Sequence, residues 1–247
     1  SRNFNGKKAF YAMDFLNNQK EMIVGFDGFI YKTFDAGNNW VENHSDADWG
    51  KPFRCVHFIN DSVGFIAGGI GYDDGFILKT TDFGNSWIQT DSTRELRSIV
   101  FTNEKTGFAS GYGVIYKTTD GGKSWNLTEA KGDFFVAMDF PSANVGYAVG
   151  YEGTIIKTTD GGDSWKKLRN GNNLMLKNMQ FESVDFIDEN TGYAVGRKGV
   201  MIKTDNGGED WKIVKNTASE NLKSIFLISS STGFVATESG NIYKFKE

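Results

Sequence analysis

One order of residues repeats six times along the chain, and this repeat limits the fold more than any other feature of the sequence. Each copy has an apolar strand, a Gly-aromatic strand and a third strand that closes on Lys followed by Thr or Phe. Short β-branched and aromatic runs bounded by Gly, Asn and Asp are typical of strands. The sequence therefore predicts six similar all-β units, with third strands at residues 29–33, 76–80, 114–118, 154–158, 200–204 and 241–245.

Five of the third strands lead into a turn of the pattern Ser/Thr-x-Asp-x-Gly-x-x-Trp. An Asp in a turn accepts hydrogen bonds from the backbone N–H groups just beyond it, and the Gly takes a positive φ without steric cost. We interpret these residues as structural, with each Trp as an apolar plug between neighbouring units, and expect the fifth turn, with Asn in place of Asp, to be held less tightly. They are Asp35, Trp40, Asp82, Trp87, Asp120, Trp125, Asp160, Trp165, Asn206 and Trp211.

This turn resembles the Asp-box, or bacterial neuraminidase repeat, found between the third and fourth strands of β-propeller blades. The whole unit is similar to the photosystem II stability/assembly factor-like propellers, and the resemblance covers nearly all of the chain. It implies one all-β domain over residues 1–247, a β-propeller with four-stranded antiparallel blades, and the six repeats imply a six-bladed β-propeller. We expect residues 1 to about 6 to close the last blade by pairing with its third strand at residues 241–245. The family is usually assigned seven blades, so six is a departure.

Composition excludes several classes of function. The chain carries 27 Lys and Arg against 31 Asp and Glu, a formal charge of -4, which gives no general attraction to nucleic acid or anionic lipid. The chain has no apolar run of 18 residues, so the sequence predicts no membrane span. Cys55 is the single cysteine, which excludes an intramolecular disulfide or a multi-cysteine zinc site. Asp46-x-Asp48-x-Gly50 lacks the closing Glu of a calcium loop. We expect no metal and no cofactor.

Residues that differ between the repeats are candidates for a site, because the scaffold does not require them. In the frame of the resemblance they lie at the channel mouth, with Trp49 added from a long loop as a stacking platform or, alternatively, a plug. The cations among them favour a basic pocket for a carboxylate, a phosphate or an acidic peptide end, and the alternative is a network of ion pairs around a solvent-filled channel. The candidates are Tyr11, Arg54, Arg97, Glu182, Arg197, Lys223, Tyr112, Tyr151, Glu152 and Trp49.

The sequence favours a binding protein over an enzyme. Asp-box propellers include sialidases, but the Arg-Ile-Pro segment typical of them is absent, and no nucleophile elbow or phosphate-binding loop appears. His57 is expected to be a packed strand residue. We predict a non-catalytic scaffold that binds a protein or an acidic or saccharide ligand at the channel mouth, with a sialidase-like glycoside hydrolase as the alternative. The resemblance further suggests an assembly or stability role, a monomer, and a secreted, periplasmic or envelope-anchored location.

Overall fold

The structure is a computed structural model that describes residues 9–44, 50–169, 179–215 and 219–247. The predicted closure of the last blade by residues 1 to about 6 and the predicted role of Trp49 lie outside the described residues. Within them, no helix has the length and apolar composition required to cross a bilayer.

Six antiparallel sheets follow one another along the chain, as the repeats predict, and we call each sheet a blade. The first three blades comprise β1 (Phe10–Phe15), β2 (Glu21–Gly25), β3 (Phe29–Thr33) and β4 (Val41–His44); β5 (Phe53–Phe58), β6 (Gly64–Gly69), β7 (Gly75–Thr80) and β8 (Ile88–Thr93); and β9 (Leu96–Phe101), β10 (Gly107–Gly111), β11 (Val114–Thr118) and β12 (Asn126–Leu127).

The last three blades have the same strand order, and the described part of the sixth has three strands. They comprise β13 (Phe135–Asp139), β14 (Gly146–Gly150), β15 (Ile155–Thr158) and β16 (Lys166–Arg169); β17 (Phe181–Phe186), β18 (Gly192–Gly196), β19 (Met201–Thr204) and β20 (Lys212–Ile213); and β21 (Leu222–Ser229), β22 (Thr232–Thr237) and β23 (Ile242–Lys246). Single 3-10 turns occupy Phe26–Gly28 and Arg197–Gly199. This is the predicted all-β, six-bladed propeller architecture.

Burial explains why the second strands read as continuous apolar runs. All five residues of β10, β14 and β18 are buried, because each second strand lies inside its sheet and has neighbours on both faces. The Gly that starts these strands faces an aromatic ring at or just after the end of the first strand. A Cβ on Gly146 would lie 2.3 Å from the Phe140 ring, and one on Gly192 would lie 2.4 Å from the Phe186 ring. The Gly-aromatic pattern is therefore a packing requirement.

The chain divides into two compact units, residues 1–112 with 116–126 and residues 113–115 with 127–247. In unit 1, one apolar cluster joins blades 1 and 2 around Ile30 and Phe76, and another joins blades 2 and 3 around Phe65. In unit 2, Tyr147 and Phe181 centre the cluster between blades 4 and 5, and a further cluster joins blades 5 and 6. Full burial of one such aromatic side chain contributes about 1.5–3 kcal/mol.

Polar side chains join consecutive blades within each unit. The Lys of the third strand reaches the Asp-box turn of the next blade: the Lys79 amine donates to the carbonyl of Gly121 at 2.7 Å, and Lys157 donates to that of Gly207 at 2.9 Å. First strands are joined as well, since the Asp14 carboxylate accepts from the backbone N of Phe58 at 2.6 Å. The recurring Lys is thus an inter-blade residue, in agreement with the expected structural role of residues that recur in every repeat.

One face of the sixth blade remains exposed. Ile225 and Val235 point to blade 5 and are buried, whereas Phe226 and Ile242, which lie on the opposite face, are 66% and 72% exposed. Adjacent on that face, Phe234 pairs with Phe226 across the β21–β22 ladder. Nothing in the described part of unit 2 covers this apolar surface.

Candidate functional site

The Asp-box turns hold their own backbone, as predicted. In the second box the Asp82 carboxylate accepts from the backbone N of Ser86 at 2.9 Å and from its hydroxyl at 2.6 Å. The Thr80 hydroxyl donates to Asp82 and accepts from the backbone N of Gly84 at 2.8 Å. The hydrogen bonds from Ser86 lower the pKa of Asp82 to about 2. These carboxylates are fully engaged in the turns.

The fifth box forms its turn with Asn in place of Asp. Asn206 Oδ1 accepts from the backbone N of Asp210 at 3.0 Å and from the Thr204 hydroxyl at 3.0 Å, which are the same bonds that Asp makes in the other boxes. Asn206 Nδ2 also donates to the Asp210 carboxylate at 3.1 Å. The amide oxygen thus replaces one carboxylate oxygen, and Asp210 supplies an acceptor for the amide nitrogen. The bonding pattern is conserved at slightly longer distances than in the second box, and a less tightly held fifth turn stays a prediction.

The candidate cations of unit 1 come together around a carboxylate that sequence reasoning missed. Glu95, which directly precedes β9, is buried, and its Oε1 lies 2.7 Å from Arg97 Nη2 and 3.5 Å from Arg54 Nε. Two guanidinium groups thus share one carboxylate, which leaves one positive charge. We call Arg54, Glu95 and Arg97 the Glu95 cluster.

Glu95 also fixes the turns that flank this cluster. Its Oε2 accepts from the backbone N of Gly71 at 2.8 Å, in the connection between β6 and β7. Its backbone carbonyl accepts from the N of Tyr112 at 3.0 Å, between β10 and β11, and its backbone N donates to the Gly71 carbonyl at 3.3 Å. One residue therefore holds both neighbouring turns and lies within ion-pair distance of both cations.

Tyrosine rings lie against the arginines of unit 1. The Arg54 guanidinium is 4.5 Å from the centre of the Tyr11 ring, and that of Arg94 is 4.2 Å from the centre of the Tyr72 ring. Tyr72 and Tyr112 form an edge-to-face pair with ring centres 5.4 Å apart. All three tyrosines are between 42% and 49% exposed. Stacked Arg and Tyr side chains combine cationic and apolar contact surface.

Unit 2 brings its own candidate residues together with a different balance of charge. Glu182 Oε1 lies 3.2 Å from both Arg197 Nε and Lys223 Nζ. Glu238 is a further 4.0 Å from Lys223, so two carboxylates face two cations. We call these four residues the Glu182 cluster. It matches the ion-pair interpretation, whereas the Glu95 cluster keeps an excess of positive charge.

The remaining candidates of unit 2 have structural partners. The Arg197 guanidinium lies 4.8 Å from the centre of the Tyr151 ring. The Glu152 backbone N donates to the carboxylate of Asp133, which is buried and also accepts from the N of Thr154 at 3.0 Å. Asp133 therefore shapes the turn that carries Tyr151 and Glu152. The sequence signal that could have revealed Asp133 and Glu95 is an acidic residue one or two positions before a first strand. The comparison of repeats did not include that position.

His57 is a packed strand residue, as predicted. Its ring stacks on Phe101 with centres 6.0 Å apart, and its Nδ1 lies 3.7 Å from an Asp14 oxygen. Burial lowers the pKa of His57, so it stays neutral at pH 7. Cys55 is buried, and burial raises its thiol pKa to about 12. Both side chains are packed among the strands of unit 1, and the described residues contain no group of three His, Cys, Asp or Glu side chains that could hold a metal.

Comparison with known proteins gives one family and a set of related folds. The family of the photosynthesis system II assembly factor YCF48 matches residues 2–135 and again residues 130–247. No curated protein matches the chain significantly. The structure is similar to that of YCF48 bound to D1 peptide, with 18% identity and a TM-score of 0.61 over 98% of this chain and 95% of that chain.

Two further solved structures show the same fold. YCF48 from Cyanidioschyzon merolae has 17% identity and a TM-score of 0.61, covering 99% of this chain and 97% of that one. The GH74 enzyme of Niastella koreensis has 17% identity and a TM-score of 0.68, over 96% of this chain but 44% of the enzyme. At these identities the likeness concerns the fold alone.

Proposed function

This chain belongs to the family of the photosynthesis system II assembly factor YCF48, and from that premise we propose that it is a non-catalytic propeller that binds an acidic segment of a partner protein. The Glu95 cluster of unit 1 is the proposed contact. The observation that carries the proposal is the sharing of one buried carboxylate by two arginines at the ends of rigid strands.

The charge of the Glu95 cluster supports an anionic ligand. Arg54 and Arg97 exceed Glu95 by one positive charge, although the whole chain is negative. A guanidinium presents a planar fork of donors that a carboxylate matches, and such charge-assisted bonds are stronger than neutral ones. Both arginines lie within ion-pair distance of Glu95, and Arg54 also stacks on Tyr11, so a ligand loses less conformational entropy in ordering them.

The exposed tyrosines support a protein ligand rather than a small anion. Tyr and Arg are enriched among the residues that dominate protein interfaces. Tyr11 stacks on Arg54 of the Glu95 cluster, whereas Tyr72 and Tyr112 lie beside Arg94 in turns that bond to Glu95. The related YCF48 structure holds a D1 peptide, which supports a peptide as the class of ligand. We carry over that class and not the identity of the peptide.

A glycosidase role receives no support from a specific contact. Glycoside hydrolysis requires two carboxyl groups that face the scissile bond from opposite sides. Glu95 and Glu182 are each engaged by two cations of their own unit. The likeness to the GH74 enzyme concerns the fold, which hosts many unrelated functions.

Selection from a phage-displayed library of random dodecapeptides tests the proposal. The wild-type chain should enrich peptides that share an Asp, a Glu or a free carboxyl end, and added salt should weaken their binding because the contact is electrostatic. The double substitution Arg54→Ala and Arg97→Ala should reduce the affinity of the selected peptides at least about tenfold, as expected for the loss of two charge-assisted contacts.

The Glu182 cluster offers a matched control. Replacing Arg197 and Lys223 with Ala removes the same number of cations, and we expect the selected peptides to retain their affinity within about twofold, since the Glu182 cluster is balanced in charge. Thermal unfolding would verify that each variant folds. Absence of any enriched acidic peptide, or equal losses in the two double variants, would overturn the proposal.

A further inference from the structure

The pair formed by Tyr72 and Tyr112 is a feature that an anion contact does not require. The two rings meet nearly at a right angle, 85° between their planes, and make a corner of aromatic surface. The Arg94 guanidinium lies over the Tyr72 ring, and its Nη1 donates to the backbone carbonyl of Tyr112 at 3.4 Å. Both tyrosines nevertheless leave more than two fifths of their surface in water.

This corner is rigidly linked to the Glu95 cluster. Gly71, the neighbour of Tyr72, bonds to the Glu95 carboxylate and to its backbone. Tyr112 bonds to the Glu95 carbonyl through its own backbone N. The residue that pairs with Arg54 and Arg97 therefore also holds the backbone next to Tyr72 and at Tyr112, which links the aromatic corner to the cations through Glu95.

The kind of backbone that fits this surface follows from where the residues lie. Tyr72 and Tyr112 come from turns between second and third strands, and Arg94 from the connection between β8 and β9, so none of them presents an open strand edge to pair with a ligand. An extended segment bound over these residues therefore gains no ladder of backbone hydrogen bonds from them and keeps its backbone hydrogen bonds with water. Polyproline II is the extended conformation that does so, and aromatic surfaces recognise its proline rings.

We propose that the Tyr72–Tyr112 corner is a subsite for a proline of the partner segment, next to the acidic group held by Arg54 and Arg97. This inference rests on the proposed function, because it assigns the sequence class of the segment bound there. The partner is then an extended segment that combines proline with a nearby Asp, Glu or carboxyl end. The proline ring packs into the corner against the exposed surface of the two tyrosines, and Arg94 keeps the Tyr72 ring in position.

A substitution scan of the peptides selected by the wild-type chain tests this assignment. Each position is replaced in turn by Ala, Pro or Phe, and affinities are measured by fluorescence anisotropy. At one position close to the acidic residue, a peptide with Pro should bind about threefold to tenfold more tightly than the same peptide with Ala. This is the range expected for ring contacts beyond simple burial. Tyr72→Ala should remove this preference, while Tyr72→Phe, which keeps the ring, should retain it.

The outcomes separate this inference from the proposed function. If acidic peptides bind and depend on Arg54 and Arg97, yet no position prefers Pro, the subsite is wrong and the proposed function stands. Preference for Phe over Pro at that position would also overturn the proline assignment. If the peptides bind without regard to the two arginines, both ideas fail together. Thermal unfolding of Tyr72→Ala distinguishes a lost contact from a lost fold.

Discussion

Replacing Asp82 tests the physical account of the Asp-box, on which the rigidity of the blades depends. Its carboxylate accepts three hydrogen bonds within its own turn, from the N and hydroxyl of Ser86 and from the hydroxyl of Thr80. Water can replace part of each bond because Ser86 is exposed. At about 0.5–1 kcal/mol for each bond, Asp82→Ala should lower the free energy of unfolding by about 2 kcal/mol at pH 7.

Asp82→Asn is the matched control, and the chain contains its precedent. Asn206 makes the corresponding bonds in the fifth box, with Asp210 as acceptor for the amide nitrogen. In the second box Ser86 takes the place of Asp210, and its hydroxyl can accept from the amide. We therefore expect Asp82→Asn to lose less than half of what Asp82→Ala loses. Urea unfolding followed by tryptophan fluorescence measures both.

The pH dependence of this contribution provides a second check. Hydrogen bonds lower the pKa of Asp82 to about 2 in the folded chain, below the value near 4 expected in the unfolded chain. Because the folded pKa is depressed, the stabilisation is present above about pH 4 and is lost as pH falls towards 2. The deficit of Asp82→Ala relative to wild type should thus shrink between pH 5 and pH 3. Equal losses of unfolding free energy for Asp82→Ala and Asp82→Asn, or a deficit that does not change with pH, would refute the reasoning.

Three further predictions concern the joints between blades. Burial and the nearby charge of Asp185 raise the pKa of Asp139 to about 7, so ionisation of Asp139 opposes folding. Stability should therefore fall as pH rises from about 4 to 7, and urea unfolding at several pH values should show a smaller decrease for Asp139→Asn. Ile225→Ala should cost about 2–4 kcal/mol in urea unfolding and Phe226→Ala less than about 1, since Ile225 is buried and Phe226 exposed; a large loss at Phe226 would show that another segment covers it. Lys79→Met should lower the urea midpoint, because the Gly121 carbonyl in the next blade loses its hydrogen-bond donor, a loss of about 1–2 kcal/mol. An unchanged midpoint would show that Lys79 does not stabilise the contact between the two blades.

The sequence predicts the strands well because the repeats compare the chain with itself. The observed third strands begin within one residue of the predicted positions, and the Asp-box turns form the expected bonds. A repeat reveals what every blade requires: a Gly beneath a ring, an acceptor in a turn, a Lys that reaches the next blade. Those requirements are local, so a pattern of residue types is enough to identify them.

The site was predicted less completely, for a physical reason. Arg54 and Arg97 were recognised as cations at variable positions, but their partner Glu95 lies outside the strand pattern. Its role depends on contacts with residues 24 positions away, such as Gly71. Charge balance around Glu182 likewise depends on Glu238 from another blade. Long-range pairing of this kind appears only once the turns are placed in space.

A crystal structure of the chain with one of its selected acidic peptides tests the central claim most directly. We expect a peptide carboxylate within about 3 Å of the Arg54 or Arg97 guanidinium, with Glu95 still paired to the arginines. A peptide seated instead on the Asp-box turns or along an outer strand, with the Glu95 cluster untouched, would contradict it.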